Sequence, residues 1–179
     1  MIDLVMLKLG LITFLSLLTS LTWAQTDVRA LEFARSAAKT LTTTDINQIL
    51  LQPSLRDCLR ELAAQAKYFD RRNQLKEIAA WVIQEEEGYS CEFWDESLRV
   101  LNGYNWDGHL PRNTVFSIHT HPAKSDGIRP SETDIAFNTS LGVIGLILSY
   151  KRQKISANYP GSDEYPVVFS YNEFRRYLK

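Results

Sequence analysis

Up to Phe69 the apolar residues of this chain recur at helical intervals, and beyond the charged corner Asp70-Arg71-Arg72-Asn73 they come in short unbroken or alternating runs. A chain with that switch needs a sheet and helices to cover it. Residues 27–40 carry Val28, Leu31, Phe33, Ala34, Ala37 and Ala38 on helical spacing, and a second short helix is expected from Thr44 or Asp45. Pro53-Ser54 opens the strongest stripe, with Leu55, Cys58, Leu59, Leu62, Ala63 and Ala66 on it and Arg56, Arg60 and Glu61 off it. The period then changes: Ile78–Ile83 is a continuous apolar run and Tyr89–Trp94 alternates in part, which predicts a hairpin turning at Glu86-Glu87-Gly88. Residues 102–114, rich in Asn, Gly, Asp and Pro, read as a loop, and Val115–Thr120 as the next strand. A helix is expected from Pro130-Ser131 to about Ser140, with Gly142 near its C-cap. Val143–Tyr150 reads as a buried strand that turns at Lys151-Arg152-Gln153 into Lys154–Tyr159, and Val167–Tyr171 as one more strand before a basic C-terminal segment. Helices, strands, a helix and strands again predict an α+β fold, a mixed α/β/α sandwich around one β-sheet with N-terminal helices. No linker divides residues 25–179, which are expected to form a single domain with a helical extension over 25–70.

Composition narrows the function classes. At 179 residues the chain can bury one core, but it is too short for a TIM barrel of roughly 250 residues. Lys and Arg number 20 against 21 Asp and Glu, interspersed along most of the chain, so neither a nucleic-acid groove nor a basic membrane patch is expected.

The first 24 residues stand apart. After Lys8, the run Leu9–Leu21 has no charge and is apolar apart from Thr, Ser and one Gly; Thr22 and Ala24 then supply small residues at the −3 and −1 positions of a cleavage site before Gln25. This reads as a secretory signal peptide over residues 1–24 and implies a secreted or periplasmic protein. An uncleaved anchor is the alternative, but the run is shorter than the roughly 20 residues a bilayer span needs, so no stable span is expected after cleavage. An even cysteine count in an exported chain admits a disulfide between Cys58 and Cys91, worth about 3.5–4 kcal/mol on the chain-entropy model for a loop of this length. Two buried free thiols are the equal alternative, and spacing does not decide between them.

Chemistry concentrates in two short segments. His119 and His121 lie one residue apart at the end of a predicted strand, so period two puts both imidazoles on one face, and Pro122 ends the strand just beyond them. Ser131-Glu132-Thr133-Asp134 follows; with Ser131 at an N-cap, Asp134 falls in the first helical turn near the Ser hydroxyl. Two histidines and this carboxylate can close three faces of a tetrahedral zinc site and leave the fourth to water, the arrangement of catalytic rather than structural zinc. Taken alone, Ser131-x-x-Asp134 is more often a capping box than a metal site. His109 reads as a surface residue, and Glu85-Glu86-Glu87 as a solvated turn.

His119-Thr120-His121-Pro122 followed by Ser131-x-x-Asp134 resembles the JAMM signature of the JAB/MPN zinc metalloproteases, the motif of zinc-dependent deubiquitinating isopeptidases and their bacterial and archaeal relatives. The family's upstream Glu-x-x-Gly-x-Leu pattern is matched by Glu77-Ile78-Ala79-Ala80-Trp81-Val82, with Ala in place of Gly, 42 residues before His119. Nine residues lie between His121 and Ser131, more than the usual family spacing, and the extra ones fall in the loop Lys124–Ile128. The resemblance covers about Leu75 to Tyr150 and implies a cytidine-deaminase-like JAB/MPN fold. It further implies that His119, His121 and Asp134 bind Zn2+, that Glu77 takes a proton from the metal-activated water, and that Ser131 hydrogen-bonds the oxyanion. The expected activity is hydrolysis of a peptide or isopeptide bond, with cell-wall peptide or a co-exported protein as substrate. A non-catalytic JAB-like binding module, such as an inhibitor, immunity or secretion-accessory protein, is the alternative.

Overall fold

The computed structural model of the chain describes residues 27–100, 103–122 and 127–178. The expected signal peptide, residues 1–24, lies outside them, as do residues 123–126 of the loop between His121 and Ser131.

Three helices open the described chain: α1 (Val28–Thr40), α2 (Thr43–Leu50) and α3 (Pro53–Arg71). Their starts follow from capping. Asp27 accepts from Arg29 N, Thr42 and Asp45 form a capping box, and α3 begins on Pro53, whose missing N–H costs nothing at a first helical position. The hairpin β1 (Ala79–Glu85) and β2 (Gly88–Phe93) follows, turning at Glu86-Glu87 as the sequence predicts. Next come the two-residue strands β3 (Arg99–Val100) and β4 (Gly103–Tyr104), then β5 (Thr114–Thr120), α4 (Glu132–Leu141), β6 (Ile144–Ser149), β7 (Lys154–Asn158), β8 (Val167–Phe169) and α5 (Tyr171–Tyr177).

Six strands form one mixed sheet in the order β2-β1-β5-β6-β7-β8. Among the described residues only β5 and β6 pair in parallel, and α4 is the crossover between them, as a parallel pair requires. Helices lie on both sides of the sheet. In register across four strands, Ala80, Ile118, Leu146 and Ala157 turn to one face, where they pack with Leu55, Leu59 and Leu62 of α3 and Ile46, Ile49 and Leu50 of α2. One residue out of step, Trp81, Ser117, Gly145 and Asn158 turn to the other face, where Trp81 packs with Ala30 and Ala34 of α1 and with Leu141 of α4. The N-terminal helices therefore share the sheet's core. The structure holds the Cys58–Cys91 disulfide, which ties α3 to β2 on the aliphatic face.

Two segments differ from expectation. The loop predicted over 102–114 contains β4, paired to β3 as a separate two-stranded ribbon. The strand predicted over Val167–Tyr171 stops at Phe169, because Ser170 and Glu173 form a capping box that starts α5 at Tyr171 and lets Phe174 reach the core.

Close approach of α4 to the sheet depends on one glycine. The buried Asn138 amide lies against Gly145, where a Cβ would overlap it, and its Nδ2 donates to Asn158 Oδ1 at 3.1 Å.

Candidate metal centre

Strand β5 delivers both histidines. Backbone pairing sets Ala79 opposite His119, and beyond it Ile78 N donates to Thr120 Oγ1 while Thr120 N donates to Ile78 O. One step further, this antiparallel pairing leads Glu77 toward His121. On the other side, His121 N donates to Leu148 O of β6 at 3.3 Å, so the chain stays in the sheet one residue past the end of β5. His119 and His121 thus keep the common face that period two predicts.

The start of α4 delivers the carboxylate. Asp134 Oδ2 accepts from Ser131 N and Ser131 Oγ, each at 2.7 Å, and Asp134 N donates to Ser131 Oγ at 3.2 Å. This capping box locks the carboxylate toward the histidines. Asp134 Oδ1 lies 3.4 Å from His119 Nε2, Oδ2 lies 3.4 Å from His121 Nε2, and the two Nε2 atoms are 3.0 Å apart. An ion with bonds of about 2.0–2.1 Å to tetrahedral ligands spaces those ligands about 3.3–3.4 Å apart; the two 3.4 Å contacts here run to different Asp134 oxygens, so they match that spacing pair by pair and not as one triangle of ligand atoms. His119, His121 and Asp134 form a group that can hold a metal ion. The 3.0 Å contact is equally an imidazole hydrogen bond, with one ring donating and the other accepting.

Electrostatics knit the group. Burial pushes the Asp134 carboxyl up, but His119, His121 and the Ser131 hydroxyl outweigh it and hold the group far below the usual carboxylate range. Burial lowers the His119 pKa, and Asp134 and Glu77 more than offset that, leaving it raised. For Glu77 burial dominates: its carboxyl sits above the ordinary value, although His119 and His121 pull the other way.

All five residues that the motif singles out, Glu77, His119, His121, Ser131 and Asp134, line one cavity of about 480 Å³. Ser131 serves the helix first. Its single hydroxyl proton goes to Asp134 Oδ2, so donation to an oxyanion requires the hydroxyl to rotate away from the cap. Cys58 and Cys91 lie on the opposite face of the sheet, outside this cavity. His109 is largely exposed and pairs with Glu92 at 2.8 Å.

The other half of the cavity escapes a motif-based reading. It is walled by Trp94, Tyr104, Trp106 and Phe137. Trp94 meets Phe137 and Tyr104 edge to face at 5.6 and 5.5 Å, and Trp106 meets Phe137 in the same way at 5.6 Å. The available signal was three large aromatics, Trp94, Tyr104 and Trp106, within thirteen residues that carry no long periodic run; such rings need a surface to pack on. Phe137 follows Asp134 by three residues and so shares its face of α4.

Compared with protein-family models, with curated proteins and with solved structures, the chain has no match in any of the three.

Proposed function

We propose that this chain is an exported zinc-dependent peptidase or isopeptidase of JAMM type that hydrolyses an amide bond. The observation that carries the reading is the convergence, in one cavity, of two imidazole nitrogens and a carboxylate whose ligand atoms lie within 4.8 Å of one another, with a fourth group, the half-buried acid Glu77, beside them. Zinc, when bound, supplies a Lewis acid and a water of lowered pKa. The chain's own groups do the rest. Asp134 and the two histidines hold the ion, and the Ser131 cap keeps the Asp134 carboxylate turned toward it. Glu77, which lines the same cavity, accepts a proton from water and passes it to the leaving amine. The Cys58–Cys91 bridge supports an oxidising compartment, where cell-wall peptide or a co-exported protein is the substrate.

A second reading is a non-catalytic JAB-like binding module. It is favoured by the Ser131–Asp134 capping box, which accounts for both residues without any chemistry. Metal analysis separates the two. The mature protein is expected to hold one zinc per chain, lost in His121→Ala and kept in Glu77→Gln, while amide hydrolysis in Glu77→Gln falls roughly 100-fold or more, as for loss of a general base. Full activity in Glu77→Gln removes that residue as the base. A wild-type protein that takes up no stoichiometric zinc leaves the binding module as the surviving reading.

A further inference from the structure

We propose that the aromatic half of the cavity is a specificity subsite that takes a large, uncharged apolar side chain of the substrate beside the scissile amide. That the neighbouring bond is an amide rests on the hydrolase reading above; the apolar subsite itself rests on the cavity.

Size comes first. About 480 Å³ lies within the range of roughly 300–1,000 Å³ typical of ligand pockets, which is more than the metal group and a backbone amide occupy. The remaining space faces Trp94, Tyr104, Trp106, Phe137 and Val100. Val100, in the β3–β4 ribbon, is 41% exposed and lines the same cavity.

Charge comes second. Among the described residues the lining contains no Lys or Arg, and its acidic groups are Glu77 and Asp134. Arg99, outside the lining, already donates to Tyr104 Oη at 3.0 Å and pairs with Glu96 at 3.3 Å, so an acidic side chain would have to compete for it. A cation over Tyr104 would meet the Arg99 guanidinium, which already lies over that ring at 5.6 Å, and each edge-to-face contact among Trp94, Tyr104, Trp106 and Phe137 takes up one further ring face. What is left to a ligand is apolar contact.

Connection comes third. Phe137 stands one helical turn beyond Asp134 on the same face of α4, so the helix that presents the carboxylate also presents the subsite wall. A backbone amide at the metal group then has its flanking side chain within reach of Phe137 and Trp106.

The test uses the full mature Glu77→Gln protein and blocked pentapeptides, acetyl-Ala-Ala-Xaa-Ala-Ala-amide, with Xaa as Phe, Leu, Lys or Asp, measured by titration calorimetry. Phe and Leu peptides are expected to bind roughly 10- to 100-fold more tightly than the Asp peptide, the range that burying such a side chain gives. Val100→Asp, at a partly exposed position and with an unchanged circular dichroism spectrum as its check on folding, is expected to erase that preference, and Trp106→Ala to narrow it. Equal binding of all four peptides, or tightest binding of the Lys peptide, overturns the subsite. If wild type with zinc cleaves none of the peptides while the Phe preference persists, the subsite stands and the hydrolase reading falls. Cleavage that is indifferent to Xaa does the reverse.

Discussion

The two faces of the sheet are built from the same strands and differ in almost everything else. On one face Phe116, Ile118, Leu146 and Ile155 are fully buried against the aliphatic stripe of α3, with the disulfide at its margin. On the other, one residue along β5, stand Ser117 and His119, followed by a cavity, a buried asparagine pair and an aromatic wall. Period two lets a single strand serve both purposes: Phe116 contributes cohesion and Ser117 leaves room. Dense packing on the first face allows the second to keep a hollow lined by charged groups, which costs stability wherever it is built.

Neighbouring residues therefore make the sharpest test. Phe116→Ala is expected to lower unfolding free energy by about 3–5 kcal/mol, while Ser117→Ala changes it by less than about 1 kcal/mol, both measured by denaturant titration. Similar losses at the two positions would break the division of labour. Replacing both cysteines by Ser is expected to cost about 2–4 kcal/mol by the same measurement and to leave zinc stoichiometry unchanged, because the bridge lies behind the sheet. Gly145→Ala crosses between the faces: its methyl meets the Asn138 amide and pushes α4 outward, for a loss of about 1–3 kcal/mol together with weaker zinc binding. A loss of about 1 kcal/mol is expected for Ser131→Ala, which removes the cap of α4. Because the same hydroxyl orients Asp134, zinc affinity should also fall roughly 10-fold or more, readable by competition with a chelator.

The aliphatic face was the more legible of the two. Its stripe on α3 and its β-branched strands are periodic signals, and each follows from neighbours close in the sequence. Gly142 shows the same for helix ends: it sits at φ 71°, the left-handed conformation its position after Leu141 predicts. His119 and His121 were readable because period two is local, and Ser131-x-x-Asp134 because a first helical turn is local. Assembly of the cavity was not. Trp94, Tyr104, Trp106 and Phe137 meet only through tertiary packing, and strands of two residues such as β3 and β4 are too short to carry a period. Helix α5 did have a local mark, Ser170 three residues before Glu173, hidden by the β-like run of Val167, Val168 and Phe169 just before it.

The disulfide has a consequence for a chain that has been cut. Cys58 and Cys91 enclose the exposed corner Arg71-Arg72-Asn73-Gln74 and, just after it, Glu77. A trypsin-like protease that nicks the backbone after Arg71 or Arg72 would yield two fragments still joined through sulfur, with β1 held in place by its pairing to β2 and β5. Such a chain would migrate as one band until a reductant separates it into two.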